Sequence, residues 1–257
     1  MINTALRQWR AGERSVGIWL TLSDLHSAEL AGQMGFDWLC VDLQHGMVDA
    51  ADLWKILAVL SASAATPLVR VAGHADDQIG RALDSGAQGV IVPMVNTAAQ
   101  ARAVAMACRY PPDGHRSCGP VRSAAYSAAD YMANANQQLA CIVMIETPDG
   151  LANVEAIAAE DGVDALFIGP VDLCFAVGVP PGQFDAPAFR DAVDRILAAG
   201  RSHGKPVGIF GYSPERAAEA LSSGFAFASA GTDAGFLRAA AGAALALARG
   251  PAPTADV

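Results

Sequence analysis

Short runs of Val, Ile, Leu and Phe, bounded by Gly, Pro or Asp, recur along the chain between longer alanine-rich stretches with helical spacing. That alternation predicts βα units. Eight runs read as strands: Val16–Leu20, Trp38–Asp42, Leu68–Val71, Val90–Pro93, Ile142–Ile145, Ala165–Ile168, Val207–Phe210 and Phe225–Ser229. Between them, helices are predicted at Ala50–Leu60, Ala98–Cys108, Pro187–Ser202 and Pro214–Ser223, several preceded by Asp, Ser or Asn in the capping position. Parallel strands buried on both faces read as continuous apolar runs, and DWLCVDLQHG, GVIVPMV and ALFIGP do. Eight units in 257 residues predict a single (β/α)8 TIM barrel over residues 1–249, followed by a Pro-containing disordered tail at 250–257. A doubly wound open sheet is the alternative, but no GxGxxG follows any strand. Nearly fifty residues separate the fourth strand from the fifth, which predicts a long loop at Tyr126–Leu139 with its own helix.

Composition narrows the partners. With 17 Lys and Arg against 26 Asp and Glu, the formal charge of −9 has the wrong sign for nucleic acid or anionic lipid. The longest apolar run, Ala239–Ala248, is about half a membrane span, and the stretch Met1–Arg14 lacks the plan of a signal peptide. Five cysteines without CxxC spacing suit a reducing cytoplasm.

In a barrel the chemistry sits where strands end. The second strand ends in Asp42-Leu43-Gln44-His45, the third in Arg70, the fifth in Glu146-Thr147 and the sixth in Gly169-Pro170-Val171-Asp172. Glu146 and Asp172, 26 residues apart, would hang from adjacent strands and could together hold one hard divalent cation such as Mg²⁺ or Mn²⁺. Alternatively Asp172 and Thr147 each cap the following helix. Arg70 suits a substrate oxyanion, or a structural ion pair with Asp42. His45 stands three residues after Asp42, where the acid could orient the imidazole as a general base; the other four histidines read as incidental.

Other chemistries lack their residues. No HExxH or other dense His/Cys motif and no GxSxG occur, which argues against a zinc site with nitrogen and sulfur ligands and against a serine-hydrolase elbow. A Schiff base needs a lysine at a strand C-terminus, but Lys205 precedes the seventh strand and Lys55 lies in a helix.

The ordered set DLQHG, PLVRV, GVIVPMV, RYPPDGHRS, MIETPDGLANVEAI and VDALFIGPVDL spans most of the chain and resembles the HpcH/HpaI class II pyruvate aldolases of the phosphoenolpyruvate/pyruvate barrel superfamily. These enzymes cleave 4-hydroxy-2-oxoheptanedioate or 2-keto-3-deoxy sugar acids. The resemblance implies retro-aldol cleavage of a 4-hydroxy-2-oxo acid to pyruvate and an aldehyde with Mg²⁺, Mn²⁺ or Co²⁺. It assigns Glu146 and Asp172 to the metal, His45 to proton acceptance and Arg70 to the transition state. It also implies that Asp84 strengthens His45 as a base, and that amides around Val171 and Asp172 hold the pyruvate carboxylate. Trp19, placed after the first strand, is expected to pack over the pocket. Gln44, Met144 and Cys174 depart from the family pattern, where an acid, a substrate-touching glutamine and a serine are usual. The resemblance further implies homohexamers with the last helix exchanged between neighbours. Two alternatives stay open: a CoA-ester lyase acting on malyl- or citramalyl-CoA, and a non-catalytic barrel that binds 2-oxo acids.

Overall fold

A computed structural model describes residues 3–126 and 131–250. The chain opens with α1 (Thr4–Arg10), β1 (Ser15–Leu20), α2 (Leu25–Gln33), β2 (Trp38–Asp42), α3 (Leu53–Leu60), β3 (Thr66–Arg70), α4 (Asp76–Asp84), β4 (Gly89–Val92) and α5 (Ala98–Cys108). The long connection follows with α6 (Val121–Tyr126) and α7 (Tyr131–Gln138), then β5 (Ala140–Met144), α8 (Pro148–Ala152), α9 (Val154–Ala158), β6 (Ala165–Ile168) and α10 (Pro170–Ala176). The chain closes with α11 (Pro187–Ser202), β7 (Val207–Phe210), α12 (Pro214–Ser222), β8 (Phe227–Thr232) and α13 (Asp233–Arg249). The eight strands pair in parallel and in sequence order, and β8 returns to β1, so the sheet is a closed barrel. The (β/α)8 expectation holds.

Alternate positions along each strand feed two cores, because successive side chains face opposite sides of the sheet. Leu39, Val41, Val69, Val90, Val92, Val143 and Leu166 point outward to the helices. Trp38, Cys40, Leu68, Ile91, Ile142, Met144, Phe167 and Phe227 fill the barrel itself.

The helix α1 was not legible as an element. Asn3 caps it, accepting from the Leu6 N–H, and its Ala5, Leu6 and Trp9 join the inner core. Trp9 lies flat on Phe227 with ring centroids 4.0 Å apart, which plugs the N-terminal end of the barrel. The last strand begins two residues later than its apolar run. Gly224 turns the chain at φ 106°, and the Phe225 N–H still bonds back to the Ala220 carbonyl of α12. The expected helix in the long connection is present as α7; the expected tail falls outside the described residues apart from Gly250. No described helix is long and apolar enough to cross a membrane.

Candidate active site

The C-terminal rim of the barrel gathers the charged strand ends. The last residues of β2 and β3, Asp42 and Arg70, are register partners. That pairing decides the fate of both. Arg70 donates to Asp42 in a fork, Nε to Oδ1 at 2.9 Å and Nη2 to Oδ2 at 2.6 Å, and its guanidinium carbon lies 4.5 Å from the centroid of the Trp19 ring. The planar cation is thereby fixed on one edge and one face, with Nη1 left without an acceptor among the described residues.

Glu146 follows β5 and is 3% exposed, yet among the described residues it accepts only one hydrogen bond, from the Met94 N–H to Oε1 at 2.9 Å. Burial pushes its carboxyl up to about 7 against that hydrogen bond; the negative Asp172 nearby raises it further and Arg70 opposes. Gly169, at the end of β6, leaves the space: a Cβ there would stand 2.1 Å from Glu146 Oε2. Asp172 sits in the first turn of α10, exposed and with no hydrogen-bond partner among the described residues.

The Met94 amide reaches Glu146 because Met94 adopts φ 58°, a left-handed conformation that non-glycine residues seldom occupy. His74, read as incidental, bonds through Nε2 to the Pro93 carbonyl at 2.6 Å and so braces the residue just before it. Tyr212, after β7, is the other non-glycine residue at positive φ among the described residues, at 64°, and burial together with the Asp172 and Cys174 charges raises its phenol.

A divalent cation fits this donor set. A buried carboxylate with an unfilled oxygen faces a second carboxylate, an arrangement that repels itself without a positive charge between. No cluster of three His, Cys, Asp or Glu side chains suited to a metal occurs among the described residues. Two carboxylates suffice for a hard ion that completes its shell with water and substrate oxygens. The start of α10 adds donors, since no side chain caps it and the Val171 and Asp172 amides lie in its first turn.

The family model described as HpcH/HpaI aldolase/citrate lyase matches residues 15–240. The chain belongs to the HpcH/HpaI aldolase/citrate lyase family. It is 42% identical over 223 residues to the 2-dehydro-3,6-dideoxy-6-sulfogluconate aldolase of Pseudomonas putida, covering 85% of this chain and 86% of that one. It is 39% identical to the hydroxypyruvate/pyruvate aldolase of Pseudomonas aeruginosa, over 92% of this chain and 89% of the relative. A crystal structure of an HpcH/HpaI aldolase/citrate lyase family protein from Burkholderia cenocepacia superposes with a TM-score of 0.91 at 35% identity, covering 96% of this chain and all of that one.

Within this HpcH/HpaI barrel several expected placements change. Asp42 does not orient the His45 imidazole. Its carboxylate is committed to Arg70 and to the amides of Gln44 and His45, because a permanently charged fork in register outcompetes a neighbouring ring. His45 is exposed on the rim, and its ring makes no hydrogen bond among the described residues.

Asp84 does not meet His45 within the chain. It is the last residue of α4, a helix that runs back from the rim, and Gln88 four residues on already bonds to Pro67 near the start of β3. The Asp84 carboxylate instead accepts from Arg116 Nη2 at 2.5 Å. Trp19 lies inside β1 and is 1% exposed, so it supports Arg70 from within the barrel and does not cover the pocket.

Met144 is likewise a buried filler of the barrel, beside Gly169. Cys174 is buried and Gln44 half-buried. Thr147 does cap the next helix, accepting from the Gly150 N–H at 2.9 Å, whereas Gly169 occupies the cap position of α10 and frees Asp172 from that role. Lys205 donates to the Glu160 and Val163 carbonyls ahead of β6, at the end opposite the site, and Lys55 pairs with Asp52.

Proposed function

We propose that the chain catalyses the reversible retro-aldol cleavage of a 4-hydroxy-2-oxo acid to pyruvate and an aldehyde, as a divalent-metal-dependent aldehyde-lyase. The observation that carries this reading is the convergence of an under-bonded buried Glu146, a free Asp172 and a rigidly held Arg70 on one rim. The names of the similar aldolases support it.

Glu146 and Asp172 would hold the cation, Mg²⁺, Mn²⁺ or Co²⁺, which when bound supplies Lewis acidity toward the oxygens of a 2-oxo acid. The Val171 and Asp172 amides hold the substrate carboxylate at the start of α10. His45 accepts the proton of the C4 hydroxyl; the C3–C4 bond breaks, and its electron pair stays with the pyruvate fragment as the enolate. Arg70, already ordered by Asp42 and Trp19, stabilises the enolate oxygen without reorganising. The aldehyde departs, and protonation at C3 gives pyruvate. Asp84 has no part in the chemistry drawn from a single chain.

Two wider expectations belong to this reading. A reducing cytoplasm is inferred from the spacing of the five cysteines in the sequence. Helix α13 buries none of its residues and exposes Leu237, Leu245 and Leu247, consistent with packing against other copies in a homo-oligomer such as a hexamer.

The test is pyruvate release from 4-hydroxy-2-oxo acids, followed by coupled lactate formation with Mg²⁺ or Mn²⁺ and with EDTA. The reading requires turnover that EDTA stops and metal restores. Turnover confined to CoA esters would replace it.

A further inference from the structure

A cleft of about 360 Å³ opens outside the barrel wall, against β7 and between α11 and α12. That volume lies within the range of small-molecule sites. None of Arg70, Glu146 and Asp172 lines it, so it opens beside the reaction centre, sharing Pro170 at the start of α10 and Tyr212 with its border. Four of the nine phenylalanines, Phe184, Phe189, Phe210 and Phe225, are on its walls with Tyr212. Phe184 stacks on Tyr212 with centroids 5.6 Å apart and planes 22° from parallel, which makes one wall flat and aromatic.

The polar feature of this wall is Arg216, whose guanidinium carbon lies 5.0 Å from the Phe184 ring centroid. Among the described residues the other arginines that are not exposed all have an acceptor: Arg70 has Asp42, Arg109 has Asp164, Arg116 has Asp84 and Arg122 has the Ser85 carbonyl. Arg216 is half-buried and its guanidinium has none, while Arg190 on the same cleft is already paired with Asp185 at 2.9 Å. A half-buried guanidinium on an aromatic face is complementary to a carboxylate borne by a flat apolar body. Asp194 and Glu219 on the exposed rim disfavour a second negative charge on the ligand, which favours a monoanion over phosphates and diacids.

Strain points to the same place. Tyr212 holds its left-handed backbone on the cleft, and its ring packs edge-on against Phe210 at 4.6 Å, which in turn packs against Trp19 at 5.6 Å, beneath Arg70.

We propose that this cleft is a second ligand site that takes an aromatic monocarboxylate, with Arg216 pairing the carboxylate and the Phe184 and Tyr212 wall stacking the ring. The assignment does not depend on the aldolase reading, since its test reads binding and not turnover. Calorimetric titration of the full chain with 2-naphthoate should give one site with Kd below about 1 mM, with 2-naphthamide and acetate each at least about tenfold weaker. Arg216→Gln should weaken naphthoate by about tenfold or more. Val193→Trp, which fills the cleft, should abolish binding while melting within a few degrees of the parent, and Arg70→Ala should leave Kd within about twofold. Absence of naphthoate binding, equal binding by the parent and Arg216→Gln, or loss of binding in Arg70→Ala but not in Arg216→Gln would each overturn the assignment.

Discussion

The two ends of the barrel treat buried carboxylates in opposite ways. At the N-terminal end Asp164 accepts from Arg10 at 2.9 Å, from Arg109 at 2.6 Å and from the Cys141 N–H at 2.8 Å, beneath a plug made by Trp9 on Phe227. At the C-terminal end Glu146 is more deeply buried than Asp164 but, among the described residues, accepts one backbone N–H. Asp233, on the same rim, shows that the deficit is local: it accepts from the Thr21 hydroxyl and from the Thr21 and Leu22 amides. Charge that is compensated holds the fold, and charge that is buried without compensation marks where a ligand completes the site. Both described non-glycine residues at positive φ, Met94 and Tyr212, also lie at the open end.

Exchanging carboxylates between these roles should break the comparison most visibly. Glu146→Ala combined with Asp172→Ala should lower metal-dependent turnover by about 10³-fold or more while the chain melts no lower than the parent. Asp164→Ala should do the reverse, costing about 3 kcal/mol in denaturant unfolding because Arg109 is left buried and unpaired, with kcat nearly unchanged. Equal losses of activity in the two variants would remove the distinction.

Arg70 belongs to both categories, since it pairs with Asp42 and in the proposed reaction also stabilises the enolate. Arg70→Ala should therefore lower kcat by about 10²- to 10³-fold and also destabilise the chain, because Asp42 loses its partner. Adding Asp42→Asn should restore the melting temperature but not kcat. Recovery of both would make the arginine purely structural.

Gly169→Ala sharpens the geometry at the open end. Its methyl would need the space of Glu146 Oε2, so metal affinity measured by calorimetry should fall about tenfold or more with stability little changed.

The smallest effect is a pH dependence. Glu146 keeps its proton up to about 7 in the metal-free fold but releases it near 4.5 when unfolded. Its contribution therefore favours the fold most below 4.5 and is lost as pH rises toward 7. A bound cation displaces the proton, so metal affinity should fall by up to about tenfold per unit as pH drops below 7. In Glu146→Gln that slope should vanish.

The strands were legible because a parallel barrel buries them on both faces, so DWLCV and ALFI carry no ambiguity of period. Helix α1 was hidden since only Ala5, Leu6 and Trp9 of its seven residues are buried, and its reason to exist is the open barrel end it fills. That Glu146 and Asp172 share one rim was legible from the single βα repeat between them: Glu146 follows β5, and Asp172 follows the neighbouring β6 in the first turn of α10. The partner of Asp42 was ambiguous because spacing offered His45 at three residues while strand register offered Arg70. The Met94 amide left no trace in the sequence, as nothing in VPMV announces a left-handed residue.

The central claim is that the open end stabilises a pyruvate enolate, and it can be tested without knowing the aldehyde. Exchange of pyruvate methyl protons in D₂O, followed by proton NMR after quenching and removal of Mn²⁺, should require both chain and metal, stop with EDTA, and fall at least about 10²-fold in Arg70→Ala. Absence of exchange with every divalent cation tried, or exchange at the parent rate in Glu146→Ala combined with Asp172→Ala, would contradict the account.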